Sequence, residues 1–150
     1  MKIKTIQSFI DEIKICHKTL ANDCRKGMKA ATDPRIQGLY SYLYQHEKRL
    51  EKIVAKIECQ SDPKALDTMV YDFDDRLLHG INKKIGNGLM ACDQLFKFVV
   101  DTHNSILAVL EYLIGRASIP EELEILQLLK DSEESELRQM VQQVQRGWEI

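Results

Sequence analysis

A chain of 150 residues is long enough for one domain with a real core and short for two. Lys and Arg total 21 against 23 for Asp and Glu, a net charge of −2, which excludes the strong basic excess of a nucleic-acid or anionic-membrane binder. With only 7 Gly and 3 Pro among 44% hydrophobic residues, neither a disordered tail nor a turn-rich all-β fold fits, and the composition reads as a single all-α domain over 1–150.

Apolar residues recur with a helical period in four long stretches. The first runs from about Ile3 to Met28 through Ile6, Ile10, Ile13, His17, Leu20 and Cys24. Thr32-Asp33-Pro34 interrupts it, with Thr32 or Asp33 as a cap and Pro34 in an allowed first-turn position. A second stretch continues to about Cys59 through Ile36, Tyr40, Leu43, Glu47, Leu50, Val54 and Ile57. The segment 60–87 differs. It opens on Ser61-Asp62-Pro63, suggests a short helix from Lys64 to about Leu78, and closes on Gly80, Gly86 and Gly88. A third helix is expected from about Gly88 to Ile114 through Cys92, Phe96, Val99, His103, Ile106, Leu110 and Leu113, stopped by Gly115. After Ser118-Ile119-Pro120 a fourth reaches about Arg146 through Leu123, Leu126, Leu129, Glu133, Met140 and Val144. Two short connections make two antiparallel hairpins, and 60–87 is long enough to serve as a crossover along a four-helix bundle.

The two hairpins resemble each other. An offset of 86 residues lays 89–143 on 3–57, gap-free from Ile3 to Val54, and places His17 on His103, Ala31 on Ala117, Pro34 on Pro120 and Glu47 on Glu133. Apolar matches follow from periodicity alone. Coincident polar residues on apolar stripes carry more weight, and the chain reads as a duplicated hairpin whose copies bury one shared core.

His17, Glu47, His103 and Glu133 are therefore one ionisable residue per helix, each flanked on its own face by apolar residues. All four are expected near one level of the bundle, with Glu136, one turn after Glu133, as an additional carboxylate. Buried charges cost several kcal/mol each unless paired or bound to metal. Two readings satisfy this. In one, His17, Glu47, His103, Glu133 and Glu136 bind one or two divalent ions: iron, with manganese or zinc as alternatives. In the other, they form a metal-free polar network that fixes register.

Helix pairs with a mid-helix ligand, a Thr/Ser-x-Pro-like turn and a following acidic motif resemble the ferritin-like superfamily, especially rubrerythrin-type bundles. That resemblance implies a long-crossover bundle and a carboxylate-bridged di-iron centre, with Glu on the first and third helices and Glu-x-x-His on the second and fourth. Here Glu47-Lys48-Arg49-Leu50 and Glu133-Glu134-Ser135-Glu136 keep the glutamates, while Leu50 and Glu136 stand where the motif has His. His17 and His103 replace the other two glutamates. The exchange leaves a mononuclear site, a redistributed dinuclear site and a lost site all open.

Remaining candidates are weaker. His46 is turned about 100° from Glu47 on a helix and is expected at an interface or in solvent. His79 precedes Gly80, which ends the local helix, and Gly80-Ile81-Asn82-Lys83-Lys84 offers no match to a phosphotransfer site. Asp72-Phe73-Asp74-Asp75 lacks the glycine and terminal glutamate of a calcium loop and reads as a solvated helix face. Tyr40 is expected in the core. Tyr42 and Tyr44 are expected to pack a partner helix or subunit, the glutamine-rich last helix is a surface for a partner, and Trp148 is either a docking residue or a frayed end. No Gly-rich phosphate loop, Ser/His/Asp order or Cys/His dyad is present. Charge comes too early for a secretory h-region, and no uncharged apolar run reaches the roughly 18 residues of a membrane span. Cys16, Cys24, Cys59 and Cys92 form no Cys-x-x-Cys pair, and three fall on apolar faces, which suits free thiols in a reducing compartment. A cytoplasmic protein is the expectation.

Overall fold

The computed structural model describes residues 4–71, 73–81, 85 and 90–147, and it is all-α apart from one short two-stranded ladder. Ile3, Asn82, Lys83, Lys84, Gly86, Gly88 and Trp148, named above, lie outside the described residues. Thr5 starts α1 (Ile6–Ala30) with a capping box: its hydroxyl accepts the Ser8 N–H at 3.2 Å, and its own N–H donates to the Ser8 hydroxyl at 2.9 Å. Asp33, not Thr32, caps α2 (Pro34–Gln60) by accepting the Arg35 N–H at 2.9 Å, with Pro34 in the first turn.

The segment after α2 departs from expectation. The helix predicted from Lys64 to about Leu78 is reduced to α3 (Pro63–Leu66), which Asp62 caps by accepting the Lys64 N–H at 3.0 Å. β2 (Met69–Val70) then pairs antiparallel with β1 (Lys4–Thr5), Lys4 opposite Val70 and Thr5 opposite Met69. One tertiary demand and one local preference defeat the helix. Ile6 has an N–H with no partner inside α1, and it donates to the Thr68 carbonyl at 3.0 Å. The run Met69-Val70-Tyr71 is also suited to extended backbone. A 3₁₀ turn follows at Asp75–Gly80. The acidic run is not a helix face: Asp74 caps this turn by accepting the Arg76 N–H at 3.0 Å, Asp75 pairs with Lys4 at 2.7 Å, and Asp72 lies outside the described residues. Phe73 packs its ring 4.5 Å from Phe9 and 5.3 Å from Tyr112. Gly80 ends the turn where a Cβ would lie 2.2 Å from the Ser105 hydroxyl, so its lack of a side chain lets the turn seat on the next long helix. Further on, the Ile85 N–H donates to Asp23 at 3.3 Å. From Thr68 beside Ile6 to Ile85 beside Asp23, the segment thus travels about 25 Å along α1.

α4 (Cys92–Arg116) begins later than expected and is not stopped by Gly115. It runs one residue further and closes at Ala117, whose extended backbone leads into Ser118-Ile119-Pro120 with no glycine needed. In α5 (Pro120–Gly147) the predicted core residue Leu123 is 42% exposed. Glu122 takes the inner position of that first turn instead, reaching back to accept the Ser118 N–H at 3.3 Å. Helix limits repeat at one spacing. The first and last residues of α1 and α4 are 86 positions apart, as are Pro34 and Pro120.

The buried apolar residues fall into two clusters. One holds Ile10, Leu20, Val54, Ile106, Leu110 and Leu129; the other holds Cys24, Leu39, Leu43, Leu95, Val99 and Met140. On α2, α4 and α5 the boundary between them falls at the polar residues that interrupt each stripe. Tyr40 is buried as expected, and Tyr42 and Tyr44 are half-buried against the second cluster. No helix among the described residues is long and apolar enough to cross a membrane.

Candidate metal centre

Each of the four central residues is carried inward by its stripe. His17 lies between Ile13 and Leu20 on α1, Glu47 between Leu43 and Leu50 on α2, His103 between Val99 and Ile106 on α4, and Glu133 between Leu129 and Met140 on α5, all of them buried. His17, Glu47 and His103 are 0% exposed and Glu133 is 1% exposed. Four helices that bury these neighbours against one another have no means of keeping the ionisable groups in water.

The side chains close into a ring. His17 Nδ1 meets Glu47 Oε1 at 3.0 Å, and its repeat counterpart His103 Nδ1 meets Glu133 Oε2 at 2.9 Å. Across the hairpins, His103 Nε2 meets Glu47 Oε2 at 2.7 Å and His17 Nε2 contacts Glu133 Oε1. Every imidazole nitrogen and every carboxylate oxygen is used once, and the two imidazole rings are 5.4 Å apart. Four hydrogen bonds need four protons. An ionised carboxylate only accepts, so with both glutamates ionised each imidazole carries two protons and the ring has no net charge.

Burial opposes the charged form of His17, but the neighbouring Glu133 charge and the hydrogen bonds to Glu133 and Glu47 outweigh it, raising the pKa to about 9. For His103 the same opposition from burial is overcome chiefly by the Glu47 charge, and its pKa rises to about 10. Burial likewise pushes Glu47 and Glu133 up. The facing imidazoliums, His103 above all for Glu47 and His17 for Glu133, prevail and hold both near about 2.

The donor chemistry suits a divalent transition metal. His17, His103 and Glu133 each offer one ligand atom, all lying within 4.8 Å of one another. Ligands on opposite sides of an ion at about 2.1 Å lie roughly 4.2 Å apart, so a small contraction would gather them. Each imidazole has a second nitrogen to keep on a carboxylate, the arrangement that orients histidine ligands. The residues do not fit a carboxylate-bridged pair of ions with Glu-x-x-His motifs: Leu50 is packed in the core, and Glu136 is elsewhere.

Glu136, expected with the other four, is buried but turned away from the ring. It accepts from His46 Nδ1 at 2.7 Å and from Arg49 Nη1 at 3.2 Å. Of the two placements expected for His46, solvent is corrected: it lies at the interface of α2 with α5, 4% exposed, with the Tyr42 ring edge-on at 4.5 Å. The spacing Leu39, Leu43, His46, Leu50 carried that signal. A helix with neighbours on two sides has a wide inner face, and both His46 and Glu47 fall on it. His79 is exposed at the end of the 3₁₀ turn, apart from this cluster. Among the described residues, no buried side-chain nitrogen or oxygen lacks a partner. Compared with models of protein families, with curated proteins and with solved structures, the chain matches none.

Proposed function

We propose that this chain is a ferritin-like four-helix bundle that holds a divalent transition-metal ion, iron or alternatively manganese or zinc, between His17, Glu47, His103 and Glu133, for metal handling or redox chemistry. The observation that carries the reading is convergence: two imidazoles and two carboxylates from four different helices, all at most 1% exposed, meet at one point. Fixing register needs one polar pair; this core has two related pairs with all donors directed inward. The bundle topology rests on the two apolar clusters. Residues before the ring on α2 and α4 share a cluster with residues after it on α1 and α5, and the segment along α1 joins the two ends, as an up-down-down-up bundle with a long crossover requires.

The competing reading is a metal-free pin, favoured by the completeness of the hydrogen-bond ring. Elemental analysis of protein purified without chelator, beside a His17→Ala/His103→Ala variant, separates the two. The metal reading expects about one ion per chain, absent from the variant, whose stability falls together with its metal. Metal-free protein after reconstitution with iron, manganese and zinc would leave only the pin.

A further inference from the structure

The shell around the ring contains a second polar pair. Apart from the ring, the buried polar side chains among the described residues are His46, Thr102, Glu122 and Glu136. Thr102 donates to the Phe98 carbonyl of its own helix, and Glu122 caps the start of α5. His46 and Glu136 serve no such local purpose. They bond to each other across the α2–α5 seam, on the two helices that carry the ring glutamates: His46 beside Glu47, and Glu136 one turn from Glu133.

The pair leads outward. Glu136 meets the half-exposed Arg49 and lines a groove of about 270 Å³ with Ile53, Leu128, Asp131, Ser132 and Ser135. Asp131 and Glu136 line the groove, Arg49 and His46 both bond to Glu136, and His46 is next along α2 to the ring residue Glu47. Packing alone does not ask for this. At the 86-residue offset, Glu136 corresponds to Leu50, an ordinary core leucine, and His46 to Ser132. The repeat-related positions, Leu50 and Ser132, do without such a pair, although burying one costs desolvation energy.

We infer that the α2–α5 seam is the route by which a divalent cation reaches the core, with the Arg49–Glu136 ion pair as its gate; the inference rests on the metal reading above. Asp131 and Glu136 draw the cation into the groove. Carboxylate and imidazole, the ligand types of the ring itself, pass it inward through Glu136 and His46. Arg49 neutralises Glu136 at rest and must swing aside for the cation.

The test is the rate of Zn²⁺ uptake by the metal-free full chain, followed in a stopped-flow instrument with a fluorescent zinc indicator. Endpoint stoichiometry and affinity are measured separately by competition. Glu136→Gln should slow uptake about tenfold with the endpoint unchanged, and Arg49→Gln should speed it several-fold. Both substitutions break the same ion pair, so a purely structural role predicts that both loosen the seam and shift the rate in one direction. That result, rates within about twofold of the parent, or an affinity loss in Glu136→Gln matching its slower rate, would overturn the inference. Failure of the metal reading has its own signature: no zinc at the endpoint in the parent chain, which overturns both.

Discussion

Replacing one member of the ring should be far more damaging than replacing all four. In metal-free protein, His103→Leu removes the donors to Glu47 Oε2 and Glu133 Oε2, and the ring passes from neutral to one net negative charge. Both carboxylates are at most 1% exposed, so water does not take over. Breaking a buried ion pair in this way costs about 3–5 kcal/mol. At a urea dependence of about 2 kcal/mol per M, the unfolding midpoint falls by about 2 M. Leucine at 17, 47, 103 and 133 together removes every charge and fills a similar volume, and such replacements are neutral or stabilising by about 1–4 kcal/mol. Urea unfolding followed by circular dichroism, with chelator present, measures both. A cost under about 1 kcal/mol for His103→Leu, or a quadruple variant no more stable than the single one, would refute the description of a buried, mutually compensating ring.

The same ring sets a pH profile for the metal-free chain. Glu47 and Glu133 are depressed to about 2, so their contribution is present above the unfolded carboxylate range and is lost as pH falls toward 2. His17 and His103 are raised to about 9 and about 10, so theirs is full below the ordinary histidine pKa and is lost as pH rises through those values. Urea midpoints should therefore be highest between about pH 5 and 6 and decline steadily from pH 7 to 10; a flat alkaline limb would contradict the imidazolium assignment. Gly27→Ala should destabilise by about 1–3 kcal/mol despite the better helix propensity of alanine, because the new Cβ would lie 2.3–2.7 Å from ring atoms of the buried Tyr40. A raised melting temperature would show that the ring can move aside. Thiol labelling should find Cys59 reactive and Cys16 and Cys24 silent until unfolding. Burial and the Glu47 and Glu133 charges push the Cys16 thiol well above its ordinary range, and burial with the Glu47 and Asp23 charges pushes Cys24 up to about 12. Fast labelling of either in folded protein would contradict this packing.

The central ring was legible because it breaks an otherwise regular pattern. His17, Glu47, His103 and Glu133 interrupt 3.6-residue apolar stripes, and a stripe dictates which way its interruptions face. The partner of Glu136 was not legible in the same way. Phasing from Tyr40, Leu43 and Glu47 draws a narrow face and leaves His46 outside it, although α2 packs against both α1 and α5. Glu136 then seemed free to join Glu133, when an opposite-sign group on the neighbouring helix claims it. The segment 60–87 departs from its expectation for a related reason. Residues 64–78 have enough apolar periodicity for a helix, but the unsatisfied N–H of Ile6 and the rings of Phe9 and Tyr112 bind that stretch as strand and turn. These are tertiary demands from residues about 40 to 70 positions away, which local pattern does not register.

The most direct measurement is an anomalous difference map, recorded at the metal's absorption edge, from crystals of the loaded protein. The account predicts one peak among His17, Glu47, His103 and Glu133, at about 2.0–2.2 Å from imidazole nitrogen and carboxylate oxygen, with Glu136 still on His46. Crystals grown with excess metal that show the four hydrogen bonds intact and no peak between them would contradict it.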